Sequence, residues 1–173
     1  MQGRRTDMNQ HAENTLALGI DIGSTTAKVV LVDNGKVLYE KYQRHFSQVR
    51  QKTLELLAEA ARAGELALDV VGYCDMKENA GLPGRLPEFR QRYSGRFKIG
   101  GYKIFLDGSP QGRTAWVTTP YLGGEAGYVG YPIYTDAQVR EFVGAAQAEG
   151  MQLLCHCNGD AAAAQFLAAH TVP

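Results

Sequence analysis

Apolar and polar positions alternate with a changing period along this chain, and each change of period marks an element. Leu16–Ile22 is a short apolar run that fits a buried strand, and Ala27–Val32 is a second, rich in β-branched residues. Asn34-Gly35 follows, a strong two-residue hairpin signal because both residues accept positive φ. A third strand is predicted over Val37–Tyr42, so the first unit reads as antiparallel hairpins with a polar turn between strands one and two. The period then becomes helical over Thr53–Ala63, with Leu54, Leu57 and Ala61 on one face and Gly64 as the stop.

Beyond that helix the pattern alternates strands with helices. Asp69–Tyr73 reads as a short buried strand, and the Gly- and Pro-rich stretch 79–95 as a long loop with a short helix near Glu88–Tyr93. Ile99–Leu106 is a strong strand, placing Lys103, Phe105 and Asp107 on one face and Tyr102, Ile104 and Leu106 on the other. Thr135-Asp136-Ala137-Gln138 has the form of a capping box. Val139, Phe142, Val143 and Ala146 mark the helix it opens, which Gly150 ends. Met151–Cys157 returns as a strand, giving the rhythm of a parallel α/β architecture.

Composition narrows the class. At 45% hydrophobic and 21% charged, the 173 residues are those of an ordinary soluble globular protein. Eighteen basic residues balance eighteen acidic ones, so no global field draws the chain to nucleic acid or an anionic membrane. Three cysteines without framework spacing fit a reducing compartment, and no apolar run reaches the roughly 18 residues of a membrane span. Residues 1–15 are polar and read as a disordered leader, not a secretory signal. A cytoplasmic protein acting on a small molecule, with no nucleic-acid or membrane partner, is the expectation.

Three places carry candidate chemistry. The turn Asp21-Ile22-Gly23-Ser24-Thr25-Thr26 offers backbone N–H groups and hydroxyls to a phosphate, with Asp21 able to hold Mg²⁺ through water; an Asp-Gly-Ser turn that binds nothing is the plain alternative. Lys103 in an apolar strand is costly to bury unless paired, neutralised or modified, or unless it snorkels to solvent. His156 falls near the end of its strand, where a parallel barrel places catalytic groups and where a hydrogen-bonded core histidine would also sit. Cys155 and Cys157 point away from His156 and read as buried structural cysteines.

Two family resemblances attach to these motifs. LGIDIGSTTAK (Leu18–Lys28) with YEKYQRHFS (Tyr39–Ser47) resembles the start of the ATPases that activate 2-hydroxyacyl-CoA dehydratases, in the acetate kinase/hexokinase/Hsp70/actin superfamily. That resemblance implies a ribonuclease H-like fold over residues 16–57, with Asp21, Gly23, Ser24 and Thr25 facing the phosphates of Mg-ATP. Leu68–Met76, GGYKIFLDGSPQGRTAW (Gly100–Trp116), GYPIYTDAQV (Gly130–Val139) and HCNGDAA (His156–Ala162) resemble the family 3 amidohydrolases, which include N-substituted formamide deformylases. It implies a segment of a (β/α)8 TIM barrel over residues 58–173 that hydrolyses C–N bonds with a divalent metal, zinc by preference.

Carried onto this sequence, the second resemblance makes Lys103, carboxylated by CO₂, and His156 metal ligands, with Asp107, Ser109 and Arg113 shaping a substrate pocket. The family's opening His-x-His pair is absent, and its later His and final Asp are expected beyond Pro173. Two candidate ligands are thus visible where a catalytic zinc takes three. The expectation is an α/β chain of two incomplete segments that meet within Thr53–Ala63. Three functions follow: a hydrolase segment inactive alone unless a partner chain supplies strands, an ATP-binding activase-like domain, or a non-catalytic fusion remnant.

Overall fold

The computed structural model describes residues 16–22, 26–44, 48–123 and 125–170. It contains two three-stranded sheets of opposite kind. The first is an antiparallel meander of β1 (Leu16–Ile22), β2 (Thr26–Asp33) and β3 (Lys36–Arg44), as the hydrophobic pattern predicts. Asn34 and Gly35 take φ of 46° and 81°, the pair of positive values that a two-residue hairpin with the right twist demands. Val29 and Leu31 of β2 are buried, and Val29 joins one hydrophobic core with helix α1 (Val49–Arg62). Lys41 of β3 reaches Glu59 of that helix at 3.2 Å.

Helix α1 starts at Val49, four residues before the predicted Thr53. The Thr53 hydroxyl donates back to the Val49 carbonyl at 2.9 Å, which places it inside the first turns and not at a cap. Leu54, Leu56, Leu57, Ala58, Ala60 and Ala61 are buried, a wider apolar face than the three residues predicted. Gly64, at φ 73°, stops the helix as expected, its N–H donating to the Ala61 carbonyl.

The second sheet is parallel, in the order β4 (Val70–Asp75), β5 (Phe97–Phe105), β6 (Gln152–His156). Between β4 and β5 lie a four-residue helix, α2 (Leu82–Arg85), and a 3₁₀ turn at Pro87–Phe89. These replace the helix expected near Glu88–Tyr93. Pro83 and Pro87 occupy first-turn positions, where proline's missing N–H costs nothing, and Gln91 at φ 56° cannot extend the turn. Helix α3 (Asp136–Ala148) joins β5 to β6 and opens with the predicted capping box. Gln138 N–H donates to the Thr135 hydroxyl at 3.3 Å, and Thr135 N–H to the Gln138 side chain at 3.0 Å. Helix α4 (Asp160–His170) follows β6 and was not foreseen in the hydrophobic pattern. Its alanine-rich sequence favours helix by propensity while offering little amphipathic contrast.

Helices alternating with parallel strands bury one face of the second sheet. Cys74, Ile99, Tyr102 and Ile104 are fully buried there, with Val139, Val143 and Ala162 from the helices in the same core. The other face carries the polar side chains.

Candidate functional site

Adjacent residues in a parallel sheet project to the same side, so register decides which groups meet. Lys103 of β5 lies beside Asp75 of β4 and Leu154 of β6, and Phe105 lies beside His156. Asp75, Lys103, Phe105 and His156 therefore share one face at the C-terminal ends of three neighbouring strands. This is the end where parallel α/β folds gather their functional groups.

Phe105 is the hub of that face. The Lys103 ammonium sits 5.1 Å from its ring centroid, the Arg50 guanidinium 5.3 Å, and the His156 ring centroid 5.5 Å. Both cations gain from the ring quadrupole. Arg50 arrives from the first turn of α1 and forms an ion pair with the buried Asp75. Asp75 also accepts the N–H groups of Lys77 and Glu78, at 3.0 and 3.1 Å. Neither Arg50 nor Asp75 stands among the sequence-derived candidates. For Asp75 the signal was available: a carboxylate closing a strand whose predicted end, Tyr73, fell two residues short.

The orientation of His156 is set by Asn158. Asn158 Nδ2 donates to the Gly108 carbonyl at 2.7 Å, which fixes the amide the right way round. The same nitrogen lies 3.0 Å from His156 Nε2, so Asn158 holds the imidazole by that edge.

The predicted pocket residues divide. Asp107 is buried, and its carboxylate accepts three backbone N–H groups: Trp116 at 3.0 Å, Asn158 at 2.9 Å and Gly159 at 2.6 Å. It leaves the Lys103 face because β5 ends at Phe105, and strand alternation stops with it. Its evident work is to clamp the loop after β5 to the loop after β6, which carries His156. A side chain at Gly159 would strike the Trp116 carbonyl, so the two loops close on each other only through glycine. Ser109 and Arg113 lie exposed on the first loop: the Ser109 hydroxyl accepts Gly112 N–H at 3.1 Å, and Arg113 donates to the Gly123 carbonyl at 3.1 Å. Among the described residues the chain encloses no pocket.

Cys155, beside His156 in β6, projects to the opposite side of the sheet, and both Cys155 and Cys157 pack partly buried against the core. Burial raises both thiols above the ordinary cysteine range. In the first sheet, Asp21 is exposed near the end of β1, and Gly23, Ser24 and Thr25 lie outside the described residues.

A divalent metal would need a third protein ligand beside Lys103 and His156. Among the described residues, no three His, Cys, Asp or Glu side chains gather closely enough to hold an ion. Lys103 and His156 share a face of the parallel sheet, and no further donor among the described residues gathers with them. Nor is any helix of the described residues long and apolar enough to cross a membrane.

Two solved structures, uncharacterised metal-dependent hydrolases from Pyrococcus horikoshii OT3 and Pyrococcus furiosus, superpose on 68% of the chain, each with a TM-score of 0.59. They are 25% and 29% identical to it over the aligned part. The chain spans about a quarter of their length, 24% and 25% respectively. None of the curated proteins compared with the chain matches it. Residues 35–171 match the amidohydrolase family, a span that opens in the β2–β3 turn and takes in β3 and α1. The chain belongs to the amidohydrolase family.

Proposed function

We propose that this chain is a segment of a metal-dependent hydrolase for C–N bonds of the amide type, and that it supplies the Lys103 and His156 ligands of the metal centre. The observation that supports this is the shared face of Lys103 and His156 at the C-terminal ends of adjacent parallel strands. An imidazole and a carboxylated lysine are donors suited to a zinc-like divalent ion. The remaining ligands come from outside the described residues or from a partner chain that supplies further strands, and the segment is inactive alone. The working substrate is a small amide, met in the cytoplasm, with Ser109 and Arg113 on the loop nearest to it.

Metal content tests this reading. Purified protein offered zinc should retain it in proportion to protein, and Lys103→Ala and His156→Ala should each reduce the retained metal at least several-fold. Equal retention in all three proteins would sink the assignment.

A second reading has one observation in its favour: the β1–β2 hairpin forms, with Asp21 near its end. Mg-ATP held by Asp21, Gly23, Ser24 and Thr25 would raise the melting temperature, and a double Ser24→Ala, Thr25→Ala variant would abolish the rise. An unchanged melting temperature with millimolar Mg-ATP removes this alternative.

A further inference from the structure

Cys155 of β6 and Cys157, one residue past its end, are free, and they touch. Residues two apart in an extended strand are separated by about 6.6 Å along the chain, which ordinarily keeps their side chains apart. Here β6 ends at His156, so Cys157 sits where the backbone has left extended geometry. The Cys155 and Cys157 sulfurs come to 3.3 Å of each other. A disulfide bond is about 2.04 Å long, so the sulfurs must approach by about 1.3 Å to close it. Both residues are only partly buried, whereas Cys74, the third cysteine, is sealed in the core of β4 at 0% exposure.

We propose that Cys155 and Cys157 form a dithiol that closes to an intramolecular disulfide on exchange with a low-molecular-weight disulfide of the glutathione class. One cysteine sulfur, having lost its proton, attacks a sulfur of the small disulfide; a mixed disulfide forms and one small thiolate leaves, which takes up a proton. The second cysteine then attacks the protein sulfur of the mixed disulfide, and the second small thiol leaves. The protein pair loses two electrons and two protons, and the small disulfide is reduced to two thiols. Proximity favours this second step over retention of the mixed disulfide, because the resolving sulfur is already in contact.

The ring so closed has His156 as its middle residue. The His156 carbonyl accepts Leu106 N–H at 3.0 Å, and its ring meets Asn158 at 3.0 Å. Oxidation would therefore restrict the piece of backbone that aims the imidazole. The disulfide itself stands whether or not His156 binds a metal.

The experiment uses the full chain, folded, in excess oxidised glutathione, followed by denaturation with an alkylating agent and intact-mass analysis. The expected product has lost two hydrogen atoms, carries a single alkyl group on Cys74 and yields a peptide holding the Cys155–Cys157 bond. Cys155→Ser should instead retain one glutathione on Cys157. Three alkyl groups on the wild-type chain, glutathione retained by it, or a disulfide that includes Cys74 would each overturn the proposal.

Discussion

The two sheets have the same number of strands and different fates for their apolar side chains. In the antiparallel sheet Leu16, Ile20, Val37, Leu38 and Tyr42 remain exposed, and Val29 and Leu31 of β2 are the buried contribution. The parallel sheet buries Cys74, Phe97, Ile99, Tyr102 and Ile104 against helices. Both read as strands in the sequence for the same reason, a run of β-branched and aromatic residues. What separates them is cover. Apolar area contributes only when something removes it from water, at about 25 cal/mol per Å². The stability of the chain is therefore concentrated around the sheet that also carries Lys103 and His156.

The largest expected effect tests that concentration directly. Phe97 of β5 is fully buried and packs its ring 5.2 Å from Phe89. Phe97→Ala should cost about 3–5 kcal/mol in urea unfolding, as cavity-forming core substitutions do. Ile20→Ala in β1, at 45% exposure, should cost below about 1 kcal/mol. Similar losses at the two positions would break the comparison.

The same contrast explains what was legible beforehand. Apolar runs, β-branching and alternation mark all six of the described strands, since each is a local signal. β1 was placed at both ends, and the other strands to within two residues. The Asn34-Gly35 turn and the Thr135 capping box were legible because each is a covalently local device with its own side-chain chemistry. Helix α4 was missed because alanine carries propensity without a face. The Lys103–His156 face was readable from alternation plus family resemblance. Arg50 was not, since its place over Phe105 depends on how the first turn of α1 docks on strands that follow it in sequence. Asp107 marks the limit of alternation: β5 ends at Phe105, and beyond it the carboxylate turns to the loop N–H groups of Trp116, Asn158 and Gly159.

An intermediate effect sharpens the comparison within the functional sheet. Asp107→Ala strands three backbone N–H groups near the core and should cost about 2–3 kcal/mol, the range for losing charge-assisted bonds to buried donors. Asp107→Asn keeps one acceptor oxygen and should lose less. Asp21→Ala, at an exposed position in the first sheet, should fall within about 0.5 kcal/mol of the parent protein. Amide exchange at Asn158 and Gly159 gives an independent measure, because both N–H groups lose their acceptor in Asp107→Ala. Unchanged protection there would mean that the clamp does not hold the loop that follows His156.

The smallest effect is read by pH where the loop after β5 meets the start of α4. Asp160 opens α4 and accepts both the hydroxyl and the N–H of Thr118, the latter at 2.8 Å. These bonds, the Thr118 hydroxyl foremost, hold the Asp160 carboxyl below its ordinary value, and the first turn of the helix favours the same charge. A carboxyl depressed in the folded state adds stability above its unfolded value of about 3.9 and loses it as pH falls through the folded value. The Asp160 carboxyl carbon should accordingly titrate in NMR with a midpoint below about 3.9, and Thr118→Ala should move that midpoint back upward. Thr118 N–H should lose protection over the same acid range. A midpoint at the ordinary value in the parent protein would show that Thr118 does not hold the charge, leaving Asp107 and the Asn158–Gly108 bond to tie the loop after β5 to the one that follows β6.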